Sequence, residues 1–594
     1  MDSIGHYKDF FFGPHSNWTW ILTATACIAS GLVLFLKWFG HQQPWKRIQR
    51  AKDRRDKSLQ RAEHAVIQYQ NSHPETDTDL ILSLSLAELS KRLKDGTLTP
   101  QAVFHSYLGK TLEVNGRLNC CTEILLESLD QLENIDSCKD GLLYGIPVSI
   151  KDNMAYKGHD STCGVLSKLD LPAPDDSVLV KVLKRQGAIP FVKTNVSQGM
   201  LNFDCGNPIY GHTLNPHNPQ KTPGGSSGGE GALIGGGGSV LGLGSDIGGS
   251  IRIPASFCGI CGFKPTVNRL SLKGASSCNR GQKSVLSSLG PLAKDVDSLA
   301  VFMQALLCDY MFTLDPTVPP IPFNQQVYQS GKPLRIGYYE NDGYAMPSPS
   351  MSRALRETKV LLERAGHTLV PFSPPKVAYA IHELVVKGLL GDGCATMLSH
   401  IKGGPVQPCL QTQIKIYSLP QSLKKILSVL FKPIFPRLSA VFNSLRGVGS
   451  VQNLWRQHAD VEDYNNEVMA EWRRCELDVL LCPMMGPAYN HNYPAKLSST
   501  LSYTVLYSLL NFPAGVVPVT TVTAEDEEEL RHYVGNYEDL WDKLYKKAVF
   551  DGEGLPVAVQ CVSLPWQDEL CLRFMREVER LVREEERRRS EGLE

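Results

Sequence analysis

A chain of 594 residues with 42% hydrophobic content can bury a large core, and the length admits either several domains or one large α/β unit. Its 61 Lys and Arg balance 61 Asp and Glu, so no overall field draws it to nucleic acid. Sixteen cysteines dispersed along the chain form no dense disulfide framework.

In chain order, the first signal is a stretch from Phe10 to Leu36 without Asp, Glu, Lys or Arg. Its apolar heart, 18–38, matches the roughly 20 residues that cross a bilayer as a helix, and Trp18, Trp20 and Trp38 stand where interface anchors belong. A cleaved signal peptide is the rival reading. The length of the apolar span and the basic run behind it (Lys37, Lys46, Arg47, Arg50, Lys52, Arg54, Arg55) favour an uncleaved anchor with a cytosolic body. Residues 1–40 are therefore read as a membrane anchor. Residues 41–80 are read as a basic linker or surface helix, resting on anionic lipid or simply solvated.

The folded body is expected over 81–582. Ser85 and Glu88 have capping-box spacing ahead of Leu86, Leu89 and Leu93, and Thr99-Pro100 opens a second helix. Residues 142–152 read as a buried strand ending in Lys151 and Asp152. A helix over 178–186 and a strand over 188–192 continue a strand–helix–strand rhythm, which suggests an α/β body. The proline-rich 314–322 is a rigid connection, with 316–322 as a weaker candidate for an SH3-type partner. Over 420–438, Leu423, Ile426, Leu427, Leu430 and Phe431 recur at helical spacing. Lys424, Lys425, Lys432 and Arg437 stand between and beyond them, and Pro420, Pro433 and Pro436 break the run. This predicts a short amphipathic cap with a basic rim, suited to a membrane interface; a surface helix packed on the core is the plainer alternative. Further strands are expected over 477–482, 514–522 and 555–562, then a helix from about 567 and a solvated, fraying tail over 583–594.

The chemistry concentrates between Gly224 and Ala255. Glycines this dense let backbone amides approach a ligand, and the apolar residues Leu233, Ile234, Val240, Leu241, Leu243, Ile247, Ile251 and Ile253 exclude a flexible linker. A buried, tightly packed loop system is expected. Gly225-Ser226-Ser227-Gly228-Gly229 matches the nucleophile-elbow pattern in form, but the turn-rich residues before it cannot be the required strand. No Gly-Lys-Ser/Thr closes a phosphate loop, and no His-Glu-x-x-His is present. Cys258-x-x-Cys261 lacks a second pair or nearby histidines and reads as packing rather than zinc.

The segment Gly-Gly-Ser226-Ser227-Gly-Gly, a spacer, then Asp246, Gly248, Ser250-Ile-Arg252 and Pro254 resembles the signature of the amidase signature family. With Gly145-Ile-Pro-Val-Ser-Ile-Lys151-Asp, the likeness covers most of the chain after about residue 80. It implies one large α/β/α domain around a mixed, twisted sheet, with the N-terminal transmembrane helix added. It also implies Lys151 as base and acid, Ser226 as proton relay and Ser250 as acyl-forming nucleophile. The amides of Ile247, Gly248, Gly249 and Ser250 would form the oxyanion hole, and Ser227, Asp246 and Arg252 would support it. No cofactor and no metal are expected.

The anchor and cap point to the membrane-bound members of that family. That resemblance implies long-chain primary amides and N-acylethanolamines, such as oleamide and anandamide, together with related esters, as substrates. The resemblance also implies contact with the lipid bilayer, a homodimer and residence in the endoplasmic reticulum or another endomembrane. On that likeness Met200 contacts substrate, and Leu201 and Phe203 either line the same acyl channel or belong to the core. The rival functions are a glutamine-using, tRNA-dependent amidotransferase subunit and an inactive membrane scaffold.

Overall fold

The computed structural model describes residues 18–592; the start of the charge-free stretch, 10–17, lies outside them. Helix α1 (Trp18–Ser72) runs through Pro44. Leu22, Ile28 and Leu32 are exposed on it, and among the described residues no helix is long and apolar enough to cross a membrane. Its basic stretch is engaged by protein. Asp170 accepts from Arg47, Arg50 and Arg54 at 3.0–3.1 Å, and Arg54 also reaches Asp160 at 2.8 Å. Ile48 and Ala51 are buried with Leu166, Leu169, Ile209 and Tyr210. Three of the basic side chains considered for lipid are thus spent on the body.

Helix α2 (Leu86–Lys94) starts with the expected reciprocal Ser85–Glu88 box. Helix α3 (Pro100–Leu118) is capped by Thr99, and α4 spans Val178–Arg185. Eleven strands form one mixed sheet: β1 (Cys121–Ile124), β2 (Pro147–Lys151), β3 (Ile189–Thr194), β4 (Leu241–Asp246), β5 (Cys261–Lys264), β6 (Ser288–Ala293), β7 (Arg335–Tyr338), β8 (Thr368–Pro371), β9 (Val479–Pro483), β10 (Ala514–Thr521) and β11 (Pro556–Ser563). Their spatial order is β1-β3-β2-β4-β6-β5-β10-β11-β9-β7-β8. The step that matters for chemistry is β2 beside β4, parallel, with Ile150 opposite Leu243. It brings the carboxyl ends of both strands, Lys151 and Ser245-Asp246, to one place, where α/β sheets commonly hold their ligands.

The glycine-rich stretch is more regular than a loop system. It folds as helix α5 (Gly228–Gly235), strand β4 and helix α6 (Arg252–Phe257). Glycine costs a helix about 1 kcal/mol relative to alanine, and close packing is what offsets it here. A Cβ on Gly229 would stand 2.3 Å from the Asn195 amide nitrogen.

The cap consists of α7 (Gln421–Phe431) and α8 (Pro436–Ser444). Leu423, Ile426, Val429, Leu430, Ile434 and Phe435 are exposed, while Leu427 and Phe431 are half-buried. The basic rim is only half as expected. Lys424 is buried and donates to the carbonyls of Tyr417 (2.8 Å) and Leu445 (3.2 Å). Arg437 turns inward onto Asp539 and Asp542. A helix whose apolar face looks outward leaves its cations to make the inward bonds.

After α9 (Ser502–Leu509), the chain ends in α10 (Asp568–Ser590), whose Leu572, Phe574 and Met575 enter the main core. The charged tail is helical to Ser590 rather than frayed, with the pairs Arg580–Glu584, Arg583–Glu579 and Arg589–Glu585 along it. The proline-rich connection is held by Arg269, which donates to the Ile321 and Pro322 carbonyls and pairs with Glu569.

Replacing Arg437 by alanine would leave the Asp542 carboxylate, 4% exposed, without its cation. The expected loss is about 3–5 kcal/mol of stability, the usual result of breaking a buried pair. Lys425→Ala, on the exposed side of α7, should change little. Urea denaturation of the two variants checks the contrast.

Candidate active site

Lys151 ends β2 with its side chain fully enclosed. Its amine donates to Ser226 Oγ at 2.7 Å, to Ser245 Oγ at 2.9 Å and to the Ser245 carbonyl at 3.3 Å. Burial pushes this amine down to about 8, against the opposing pull of the Asp246 carboxylate. Desolvation penalises the ammonium and favours the neutral form that can accept a proton.

Ser226 and Ser227 lead into α5, and both are buried. The Ser227 amide donates to the Ser250 carbonyl at 3.2 Å, and its hydroxyl reaches the Ser245 carbonyl at 3.4 Å. Ser227 therefore ties the two hydroxyl-bearing ends of the stretch together. Ser250 is half-buried, and among the described residues no hydrogen bond engages its hydroxyl. Lys151 and Ser226 are joined directly, and Ser250 is joined to them through Ser227.

The turn carrying Ser250 is set by one buried ion pair. Asp246 accepts from the amides of Gly249 (2.7 Å) and Ile251 (3.1 Å) and from Arg252 Nε and Nη2 (both 3.0 Å). Arg252 Nη1 donates to the Thr504 carbonyl and Gln560 Oε1, and Nη2 to Ser508 Oγ, each at 2.9 Å. All the guanidinium donors are thereby used. Burial alone would push the Asp246 carboxyl up; Arg252 outweighs it and holds it at about 2.

The Gly248–Gly249 peptide is clamped at both ends, since Thr504 Oγ1 donates to the Gly248 carbonyl at 2.7 Å. Gly249 has φ +124°, and a Cβ there would stand 2.7 Å from Ile253 Cδ1, so only glycine fits. Because its amide is given to Asp246, Gly249 is not a free donor. The amides of Ile247, Gly248 and Ser250 find no acceptor among the described residues and remain available to a developing oxyanion.

Two residues of this centre were not singled out from sequence. Ser245 holds the Lys151 amine, but a serine at a strand end carries no signal of its own. Glu230 lies fully buried in α5, accepting from Ser149 (2.6 Å) and Thr194 (2.7 Å). Burial pushes its carboxyl up to about 7 despite those hydroxyls and Lys151. A single carboxylate in a Gly/Ala/Leu helix beside Ser226 was the available clue.

Met200 is half-buried against Cys163, Val165, Cys278 and Ile401. Leu201 belongs both to that cluster and to the one formed by Leu390, Cys394, Met397 and Leu445 with Val441 of α8. Phe203 is a core residue, 3% exposed and set edge-on to Tyr489. Cys258 and Cys261 are buried apart from one another's partners, their thiols reaching the Pro223 carbonyl and Glu579.

The family model described as Amidase matches residues 102–572. A fatty-acid amide hydrolase 1 of Sus scrofa is 50% identical over 559 residues, covering 94% of this chain and 96% of that protein. A vitamin D3 hydroxylase-associated protein of Gallus gallus is 53% identical over 442 residues, covering 74% and 95%. The solved structure of a fatty acid amide hydrolase superposes with a TM-score of 0.76 at 24% identity, covering 91% of this chain and 96% of that one, which speaks to the fold. By sequence and by fold, the chain belongs to the amidase signature family and is an amidase.

Proposed function

We propose that this amidase cleaves long-chain fatty-acid amides, primary amides and N-acylethanolamines, at a membrane surface through Lys151, Ser226 and Ser250. The observation that carries the mechanism is the enclosed Lys151 amine at 2.7 Å from Ser226 Oγ, with no histidine among its partners. Neutral Lys151 draws the Ser226 proton as Ser226 takes that of Ser250. Ser250 Oγ then adds to the amide carbonyl, and the oxyanion forms against the amides of Ile247, Gly248 and Ser250. Collapse breaks the C–N bond. The leaving nitrogen takes a proton returned from Lys151 through Ser226, and an acyl-Ser250 ester remains. Water, deprotonated along the same relay, adds to that ester and releases the fatty acid. Proton transfer of this kind contributes on the order of 10²–10⁴-fold. Since only three amides of the cradle are free, Gly249 acts by shape rather than as a donor.

The substrate class rests on the relatives' printed names and on the apolar surfaces. Contact is continuous from Met200 through Leu201 to Val441 and Leu445 beneath the cap, which suits an acyl chain entering from lipid. The exposed apolar row Leu423, Ile426, Val429, Leu430, Ile434 and Phe435 and the exposed Leu22, Ile28 and Leu32 of α1 support membrane contact at both places. The N-terminal anchor, the endomembrane location and the cytosolic body are parts of the same proposal.

Ser250→Ala should lower kcat/KM for a long-chain primary amide by at least about 10⁴-fold and abolish labelling by a fluorophosphonate. Labelling that persists at Ser226 or Ser227 would show the nucleophile to be misassigned, and turnover of glutamine alone would refute the substrate class. The base is the neutral amine, so acylation should rise with pH through about 8 and level above it; about a tenth of the amine is neutral one unit below that value. A kcat/KM profile flat from pH 6 to 8 contradicts Lys151 as base. A chain lacking residues 1–40 should still float with liposomes, and Ile426→Asp with Leu430→Asp should abolish this. A truncated chain that stays in the aqueous fraction overturns the cap assignment.

A further inference from the structure

Outside the catalytic set, the chain gathers Asp204, His212 and His491, with one donor atom from each lying within 4.8 Å of the others. Asp204 follows the core residue Phe203. His212 stands on a two-stranded ribbon that pairs Gly206–Asn207 with Gly211–His212. His491 arrives 287 positions after Asp204, on the turn that follows β9. Nothing in the sequence spacing marks these three as a set.

The Asp204 carboxylate is 0% exposed, and among the described residues no Lys or Arg pairs with it. A buried carboxylate requires a compensating charge, and here only imidazoles face it. Asp204 Oδ2 accepts the Asn492 amide at 2.9 Å, which leaves Oδ1 directed at His491 Nδ1, 3.3 Å away. Adjacent ligands of a tetrahedral zinc ion with bonds of about 2.0–2.1 Å stand roughly 3.3 Å apart.

The other nitrogen of His491 explains why that gap suits a cation. Nε2 lies 3.2 Å from the Pro219 carbonyl, an acceptor only, so Nε2 carries the hydrogen. In the neutral ring Nδ1 then presents a lone pair to a carboxylate. A metal-bound histidine is commonly oriented in this way, by its second N–H on a backbone carbonyl. His212 brings a second imidazole whose Nδ1 is buried with no hydrogen-bond partner; once the Gln407 side chain, which faces Nε2, turns its carbonyl oxygen there to accept the Nε2 hydrogen, Nδ1 presents a lone pair. The His491 side chain is 21% exposed and opens the cluster to solvent.

We propose that Asp204, His212 and His491 form a site for a zinc-class divalent transition metal, with water in the remaining position. The donor set, two imidazoles and a carboxylate, is that of borderline-soft divalent ions rather than of calcium or magnesium. The ion takes no part in hydrolysis. It pins the turn of Asn490–Asn492 to the segment that begins at Asp204. That turn already holds the approach to the catalytic serines, through Thr222 N on the Tyr489 carbonyl at 2.8 Å and the Lys221–Asn490 bridge. Metal loading would therefore stiffen the base of the loop that carries Ser226.

The test uses the full chain, stripped with a chelator and dialysed against Zn²⁺ or Co²⁺. One equivalent of Zn²⁺ should be retained, and the Co²⁺ form should show the visible absorption of a four-coordinate ion. His491→Gln, the most exposed and best tolerated change, should weaken uptake by more than about 100-fold, beyond the usual effect of losing an outer-shell partner. His212→Gln should do the same. Thermal unfolding with and without Zn²⁺ guards against misfolded variants: the wild-type midpoint should rise with metal, and each folded variant should lose that shift. Absence of stoichiometric uptake by the wild type, or equal uptake by the folded variants, overturns the proposal.

Discussion

The Asp246–Arg252 pair is the constraint on which the centre depends. Neither group is exposed, and a buried ion pair of poor geometry would cost more in desolvation than it returns. Here the geometry answers that objection. The carboxylate takes two backbone amides besides the guanidinium, and the guanidinium is completed by Thr504, Ser508 and Gln560. The outcome is positional. The chain turns sharply after β4, the Gly248–Gly249 peptide is fixed at both ends, and Ser250 is presented with its own amide and those of Ile247 and Gly248 left free. Helix α9 and strand β11, far away in sequence, are recruited to hold a turn of a few residues.

Lys151 poses the opposite electrostatic problem. To act as the proposed base it must be buried enough to lose its proton near neutral pH and yet stand close to a carboxylate that favours keeping it. Arg252 resolves the conflict by occupying Asp246. The Lys151 amine has hydroxyls and a carbonyl as partners, with no carboxylate hydrogen-bonded to it. Glu230, the other acid within range, is itself pushed towards its neutral form by burial. The centre is built so that the two nearby carboxylates do not pin the lysine as a cation.

Sequence alone marked the residues of the candidate centre better than the architecture around them. Lys151, Ser226, Ser227, Asp246, Ser250 and Arg252 sit in motifs of distinctive residue types, and the fold brings them into one neighbourhood. Strand β4 was not, because Gly242 and Gly244 have no strand propensity; its place between β2 and β6 is a tertiary decision. The diversion of the Gly249 amide to Asp246 was equally invisible, since donor counts do not tell where a peptide points. The helical tail failed for a local reason: a run of Arg and Glu reads as solvated coil until its pairs are seen to fall three and four apart. Asp204, His212 and His491 come from separate segments, and only the fold could assemble them.

The cap shows how an amphipathic element is held when its apolar side is turned away from the protein. Ordinary surface helices dock by burying their apolar stripe, worth about 25 cal/mol per Å² removed from water. Helix α7 and the turn after it direct Ile426, Val429, Leu430 and Ile434 outward, each more than half exposed, so that source of stability is largely forgone. The polar residues have to replace it. Lys424 bonds two carbonyls, Arg437 takes two aspartates, and Ser439 donates to the Ser428 carbonyl across the pair of helices at 2.6 Å. Two of the four cations that helical spacing assigned to a lipid-facing rim, Lys424 and Arg437, are thus fastenings of the cap, while Lys425 and Lys432 stay exposed. An exposed apolar row of this extent marks an interaction surface, and under the proposed function lipid covers it.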